Sequence, residues 1–282
     1  MKNTWKVFLI ELLFFAATLL LGIFVTLRLQ DIFQIVEAET LPEEGSLTPF
    51  SFLAYFVIAT GLVYLISKSE KFKKSRVFFF RIAFLFSVGL GGFLTLSTFI
   101  YELLALFIII ILILAWRKKP VILLHNFLVT ISIAGIGAVI GRQFDPVTIA
   151  VLLALFSVYD FVAVYKTEHM IKMASEMIKT RAIMGIIIPF SFRDLLTDLD
   201  KKKKKEFMVL GGGDLAFPLF LIASVTVVNG FFEALVVLLF SCLGLLGSFL
   251  QFTSQKKNKA IPALPPIALG CLVGYLFVLL LI

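Results

Sequence analysis

Two acidic residues stand where acid is expensive. Asp160 lies in Phe156-Ser-Val-Tyr-Asp-Phe-Val-Ala-Val164, and Asp214 lies in Leu210-Gly-Gly-Gly-Asp-Leu-Ala-Phe-Pro218. A carboxylate inside an apolar membrane span costs about 2.5 to 3.5 kcal/mol on insertion scales, so each is by default a functional candidate. Two carboxylates a few ångströms apart cannot both ionise readily and therefore retain a shared proton. One then acts as a base that activates water against a carbonyl carbon, while its protonated partner donates to the carbonyl oxygen. That chemistry needs no metal, no cofactor and no nucleophilic side chain. Gly211, Gly212 and Gly213 precede Asp214, and Gly211 and Gly213 offer no side chain to obstruct a close backbone approach.

The elements that must hold these groups are written in the composition. The 282 residues are 60% hydrophobic, include 32 phenylalanines, and have a mean hydropathy of +1.05. Ordinary soluble domains are only about 45 to 50% apolar. Runs of about 20 apolar residues, enough to span a bilayer, occur nine times: 7–27, 50–66, 77–96, 98–116, 121–140, 146–164, 208–228, 231–252 and 264–282. The expected fold is all-α and polytopic. It divides into residues 1–164, which carry the first six spans; a cytoplasmic hydrophilic link, 165–207; and residues 208–282, which carry the last three. Lys2 and Lys6 before the first run imitate a signal peptide, but the run is too long and lacks a small-residue cleavage site, so it is read as retained.

The formal charge of +8 does not point to nucleic acid. Lys and Arg occupy alternate connections, the positive-inside pattern. Basic groups mark the N-terminus, the link from Lys68 to Arg76, Arg117 to Lys119, the link between the sixth and seventh spans, and Lys256 to Lys259. The acidic link from Asp31 to Glu44 and the turns near Glu102, Arg142 and Asn229 take the other side. The expected topology has a cytoplasmic N-terminus and an external C-terminus. Five consecutive lysines, Lys201 to Lys205, read as an anchor at anionic headgroups.

Other polar residues receive plainer readings. Cys242 and Cys271 fall in apolar spans and suggest neither disulfide nor zinc ribbon, and His125 and His169 form no H-E-x-x-H metal motif. Gly137 with Gly141, and Gly270 with Gly274, have the spacing of close helix packing. Glu11 and Glu233 are expected to make structural hydrogen bonds or sit at an interface. The link from Lys166 to Phe190 mixes charge with Ile and Met at near-helical spacing and could extend the sixth helix. Either aspartate could instead pair with a buried base such as Arg81.

The Tyr159-Asp160 dipeptide, Gly211-Gly-Gly-Asp214 and Pro262-Ala-Leu264 occur in that order in the sixth, seventh and ninth expected spans. Together they resemble the presenilin and signal peptide peptidase family, across roughly Asp145 to the C-terminus. Phe156 to Val164 reads like presenilin's sixth span, whereas Pro218 is similar to the peptidase branch. The resemblance implies an intramembrane aspartyl endopeptidase in which Asp160 and Asp214 are the catalytic pair. It further implies that Tyr159, Gly211, Gly212, Gly213, Pro262, Ala263 and Leu264 border the site. The G-x-G-D variable position, often Leu in that family, is Gly212 here. Short loops point to a microbial, archaeal-type member in a plasma membrane. Its partners would be transmembrane substrates and the bilayer, with no obligate subunit indicated.

A helical substrate must unwind before water can reach its carbonyls, and its freed backbone groups then need partners that lipid does not offer. Pro262 and Pro265-Pro266 interrupt regular helix, leaving backbone that an extended substrate could pair with. The competing reading is a proton-coupled transporter, since a buried acid pair beside a glycine-broken helix also describes an ion site.

Overall fold

The computed structural model describes residues 4–37, 51, 54, 58, 73–167, 183–199, 207–255 and 261–281. In chain order the helices are α1 (Thr4–Glu37), α2 (Lys73–Ser97), α3 (Glu102–Lys118), α4 (Ile122–Gly141) and α5 (Pro146–Thr167). Strand β1 (Gly185–Pro189), a 3-10 turn (Phe192–Leu196) and strand β2 (Phe207–Gly211) follow. Helices α6 (Gly212–Val228), α7 (Phe231–Thr253) and α8 (Leu264–Leu281) complete the chain.

Each helix falls on one of the apolar runs, with ends displaced by a few residues except that α1 continues to Glu37, ten residues past the expected end. The second expected run, 50–66, lies outside the described residues apart from three isolated positions. Among the described residues six helices, α1, α2, α4, α5, α7 and α8, are long and apolar enough to cross a membrane. Helix α6, at 17 residues, is shorter, about 25 Å of rise. Phe78, Phe86, Val158, Leu243 and Leu269 are exposed, as apolar side chains facing acyl tails should be.

One expectation needs correction. Among the described residues the membrane body is all-helical, but the start of the seventh run is not: β1 and β2 form a two-stranded antiparallel sheet in which Gly185 faces Gly211 and Pro189 faces Phe207. The run expected to be helical from Met208 is therefore extended as far as Gly211 and becomes helical only at Gly212.

Helix α4 is the hub. It packs against α1, α2, α6 and β1, and even its polar residues His125, Asn126, Thr130 and Ser132 are buried. Small residues permit that density. A methyl at Gly141 would press into the main chain of Phe220, and one at Gly137 into the side chain of Leu219, so α4 and α6 touch backbone to side chain. Methyls at Gly270 and Gly274 would likewise strike Phe240 and its neighbours on α7. Both glycine pairs thus do what their spacing predicts. Helix α5 is peripheral, meeting α6 and α8, with Phe156 stacked on Phe217 at 4.3 Å.

Candidate active site

Asp160 is an interior residue of α5, seven residues before the helix ends at Thr167, or about 10 Å of rise. Asp214 belongs to the first turn of α6, two residues after its start. Both occupy the end of the bundle where α5 finishes and α6 begins. Their carboxylates are close enough to interact electrostatically, each partly buried among apolar helices. The α5–α6 contact through Phe156 and Phe217 fixes the two helices one turn away from the acids.

Asp214 Oδ2 accepts a hydrogen bond from Gly211 N at 3.1 Å, the side-chain-to-backbone half of a capping box. The backbone of Leu264, the first residue of α8, lies within electrostatic reach of the Asp160 carboxylate, whose buried Oδ2 makes no hydrogen bond among the described residues. An orphaned carboxylate oxygen beside a second acid is where a proton or an attacking water would bind.

Pro218 loosens the same turn. It lacks an N–H, so the carbonyl of Asp214, four residues earlier, loses its helical donor.

The remaining expected residues are distributed unevenly. Gly211, Gly212 and Gly213 bracket the strand-to-helix turn, and Leu264 reaches Asp160. Pro262 is buried and Ala263 half-buried just before α8. Tyr159 turns away, its side chain half exposed on the outer face of α5. Arg81 pairs with neither aspartate; it is exposed and lines a separate cleft with Trp116, Arg117 and Pro120.

Two features went unforeseen. Glu11, read as a structural or interfacial residue, is buried on α1 with Oε2 unbonded among the described residues, within electrostatic reach of Asp214. An apolar cavity of about 250 Å³ opens beside the glycines, lined by Val88, Val129, Ile133, Met184, Gly212, Gly213 and Ala216 among others. Neither had a local signature, since both depend on which helices meet.

Comparison with known proteins adds to this geometry. The family model described as "Signal-peptide peptidase, presenilin aspartyl protease" matches residues 11–282. The chain belongs to this family. It is therefore an intramembrane aspartyl protease, a peptide-bond hydrolase of the bilayer, and the transporter alternative is not supported. Two solved structures of a presenilin family intramembrane aspartate protease share the fold. The C222 crystal form is 20% identical with a TM-score of 0.63, over 98% of this chain and 99% of that one. The P2 form is 21% identical with a TM-score of 0.55, over 96% of each chain. A search of curated proteins gives no match. As a presenilin and signal-peptide peptidase family member, the chain is an integral multi-pass membrane protein.

Proposed function

We propose that Asp160 and Asp214 are the catalytic pair of this protease. The observation that carries the assignment is their convergence: two acids from successive apolar helices share one electrostatic environment, Asp214 tied to the Gly211 amide and Asp160 beside the backbone of Leu264. The ionised partner removes a proton from water as oxygen attacks the peptide carbonyl. The protonated partner delivers its proton to the carbonyl oxygen, giving a tetrahedral gem-diol. As this collapses, the first acid passes the proton it took from water to the amide nitrogen, which leaves as a neutral amine. The second acid takes a proton back from a hydroxyl, so that both acids return to their starting states.

Gly211 to Gly213 and Pro262 to Leu264 form the rim of the site. The apolar cavity beside Gly212 and Gly213 is suited to side chains of an unwound transmembrane segment. Tyr159, facing outward, contributes to the rim by its backbone rather than its ring. Nine spans with a cytoplasmic N-terminus agree with the charge of every connection, and the aspartates then lie beneath the cytoplasmic face, where water enters. In this arrangement residues 1–164 and 208–282 supply the membrane body, and 165–207 the cytoplasmic link. Short connections favour a microbial, archaeal-type protein of the plasma membrane.

The test is to incubate purified protein with a helical transmembrane peptide and follow cleavage by mass spectrometry. Cleavage by the native protein, lost in both Asp160→Asn and Asp214→Asn, is expected. Retained cleavage in either folded variant would reject the pair.

A further inference from the structure

The small sheet has two outer edges, and the bundle treats one of them in a specific way. In an antiparallel ladder, alternate residues bond across to the partner strand and the others turn their N–H and C=O groups outward. Gly212 N donates to Met184 O at 2.8 Å, which extends the Gly185–Gly211 register by one pair and identifies the bonded set. Ile186 and Ile188 thus bond to β2, whereas Gly185 and Ile187 face away from it. Both outward residues lie deep in the protein, where an unsatisfied peptide group is costly.

Two consecutive residues of α4 supply what a third strand would. Asn126 Nδ2 donates to Ile187 O at 2.8 Å, and Asn126 Oδ1 accepts from Ile187 N at 2.8 Å. Both backbone groups of one residue are thereby paired with one side-chain amide. His125 Nε2 donates to Gly185 O at 3.2 Å. Its ring stacks parallel to Phe84 at 5.4 Å, and Trp116 touches both rings, 6.0 Å from His125 and 5.1 Å from Phe84. Both side chains are fully buried. The same end of α4 also grips the link from the other side, through Leu199 N to Pro120 O at 2.9 Å.

We propose that His125 and Asn126 are positioning residues for the protease: by closing the outer edge of β1 they fix the sheet against α4, and the sheet sets the placement of Asp214. The path is short and runs through backbone between the Asn126 amide and the Asp214 carboxylate. Asn126 holds Ile187; β1 holds β2 in register; Met184 O anchors Gly212; and Gly211 N–H holds the Asp214 carboxylate. A side-chain amide and an imidazole are used because they satisfy the edge without extending it. Strand pairing is then left to β2, whose residues Phe207 and Val209 turn their N–H and C=O groups away from β1 by the same alternation.

This inference rests on Asp214 being catalytic, and the test separates the two. Kinetics on a transmembrane peptide in bicelles would be compared for native protein, Asn126→Leu, Asn126→Asp, His125→Leu and His125→Gln. Binding of a hydroxyl-bearing peptide mimic of the tetrahedral intermediate and thermal unfolding would be measured on each. Asn126→Leu should lower kcat at least tenfold and weaken the mimic in proportion, with KM changed less than threefold. Asn126→Asp keeps the acceptor for Ile187 N–H and should fall between native and Leu, which decides the matter if the Leu variant does not fold. His125→Gln places an amide donor near the Nε2 position and should retain kcat within threefold, whereas His125→Leu should not. Native kcat and mimic binding in a folded Asn126→Leu, or in Asn126→Asp where Leu fails to fold, would overturn the proposal. So would equal loss in His125→Gln and His125→Leu. Cleavage surviving in Asp214→Asn would instead remove the assignment beneath it.

Discussion

The two aspartates reach one place by unlike routes. Asp160 sits inside a 22-residue helix whose backbone is already committed, so its surroundings come from neighbours in the bundle, among them the backbone of Leu264 at the start of α8. Asp214 sits where a strand becomes a helix, and its carboxylate is tied to Gly211 three residues earlier. One acid is placed by helix packing, the other by local chain geometry. Changes to the turn and changes to the bundle should therefore fail differently.

The largest effect is expected where that distinction vanishes. Asp160→Asn and Asp214→Asn each remove one half of a proton exchange, and each should depress peptide hydrolysis by about 10³-fold or more, to background. Thermal unfolding should show both variants folded. A variant retaining a tenth of native turnover would break the equivalence of the two acids.

Next comes the turn. A methyl at Gly212 would lie 2.9 Å from the backbone oxygen of Met184, too close for a carbon, so either the sheet or the helix start must shift. Since a displacement of about 1 Å near reacting groups can cost about 10²-fold, Gly212→Ala should lower kcat by that order while leaving substrate binding largely intact. Gly213→Ala meets only the ring of Phe217 at 3.4 Å and should be much milder. Equal losses in the two variants would argue against placement through the sheet.

The Asp160 side can be sharpened through α8. Leu264→Pro deletes the backbone N–H beside Asp160 at a helix start, where proline is tolerated, while Leu264→Ala retains it and removes the same buried side chain. A hydrogen bond to a charged group contributes about 1.5 to 3 kcal/mol, so the proline variant should be slower than the alanine variant by about tenfold. Indistinguishable rates would mean that packing alone places Asp160.

The same contrast explains what could be read in the sequence. Hydropathy located the described helices to within a few residues, save the ten-residue continuation of α1 to Glu37, because lipid imposes one simple demand, and spacing identified the glycine seams. The sheet escaped notice for two reasons. Gly185-Ile-Ile-Ile-Pro189 lies inside a hydrophilic link, and Phe207–Gly211 continues without a polar break into the apolar helix that follows. Short apolar runs do not distinguish strand from helix by period. His125 and Asn126 carried no signal because their partners, 60 and 61 residues away, are backbone atoms. Of the link from Lys166 to Phe190, Lys166 and Thr167 do extend α5 and 183–190 hold strand β1, while 168–182 lies outside the described residues.

The smallest predicted effect uses the far end of α5 as a control for Asp214. Asp145 also caps a helix start: its Oδ1 accepts from Thr148 N at 2.9 Å and its Oδ2 from Thr148 Oγ1 at 2.5 Å, with Pro146 beginning the helix. Those bonds favour the carboxylate and hold its pKa below the ordinary 3.8. Because the folded value is depressed, the cap's contribution is complete above 3.8 and is lost as pH falls through the lower folded value. Asp145→Ala should cost about 1 kcal/mol of stability at neutral pH, and Asp145→Asn, which keeps an acceptor, a few tenths. Asp145 lies 15 residues from Asp160, about 22 Å along the helix, so turnover per folded molecule should not change. If it fell in step with stability, long-range packing of α5 would govern the site more than the turn at Gly211 does. A helix-capping acid is common. What makes Asp214 different is a second acid facing it from another helix.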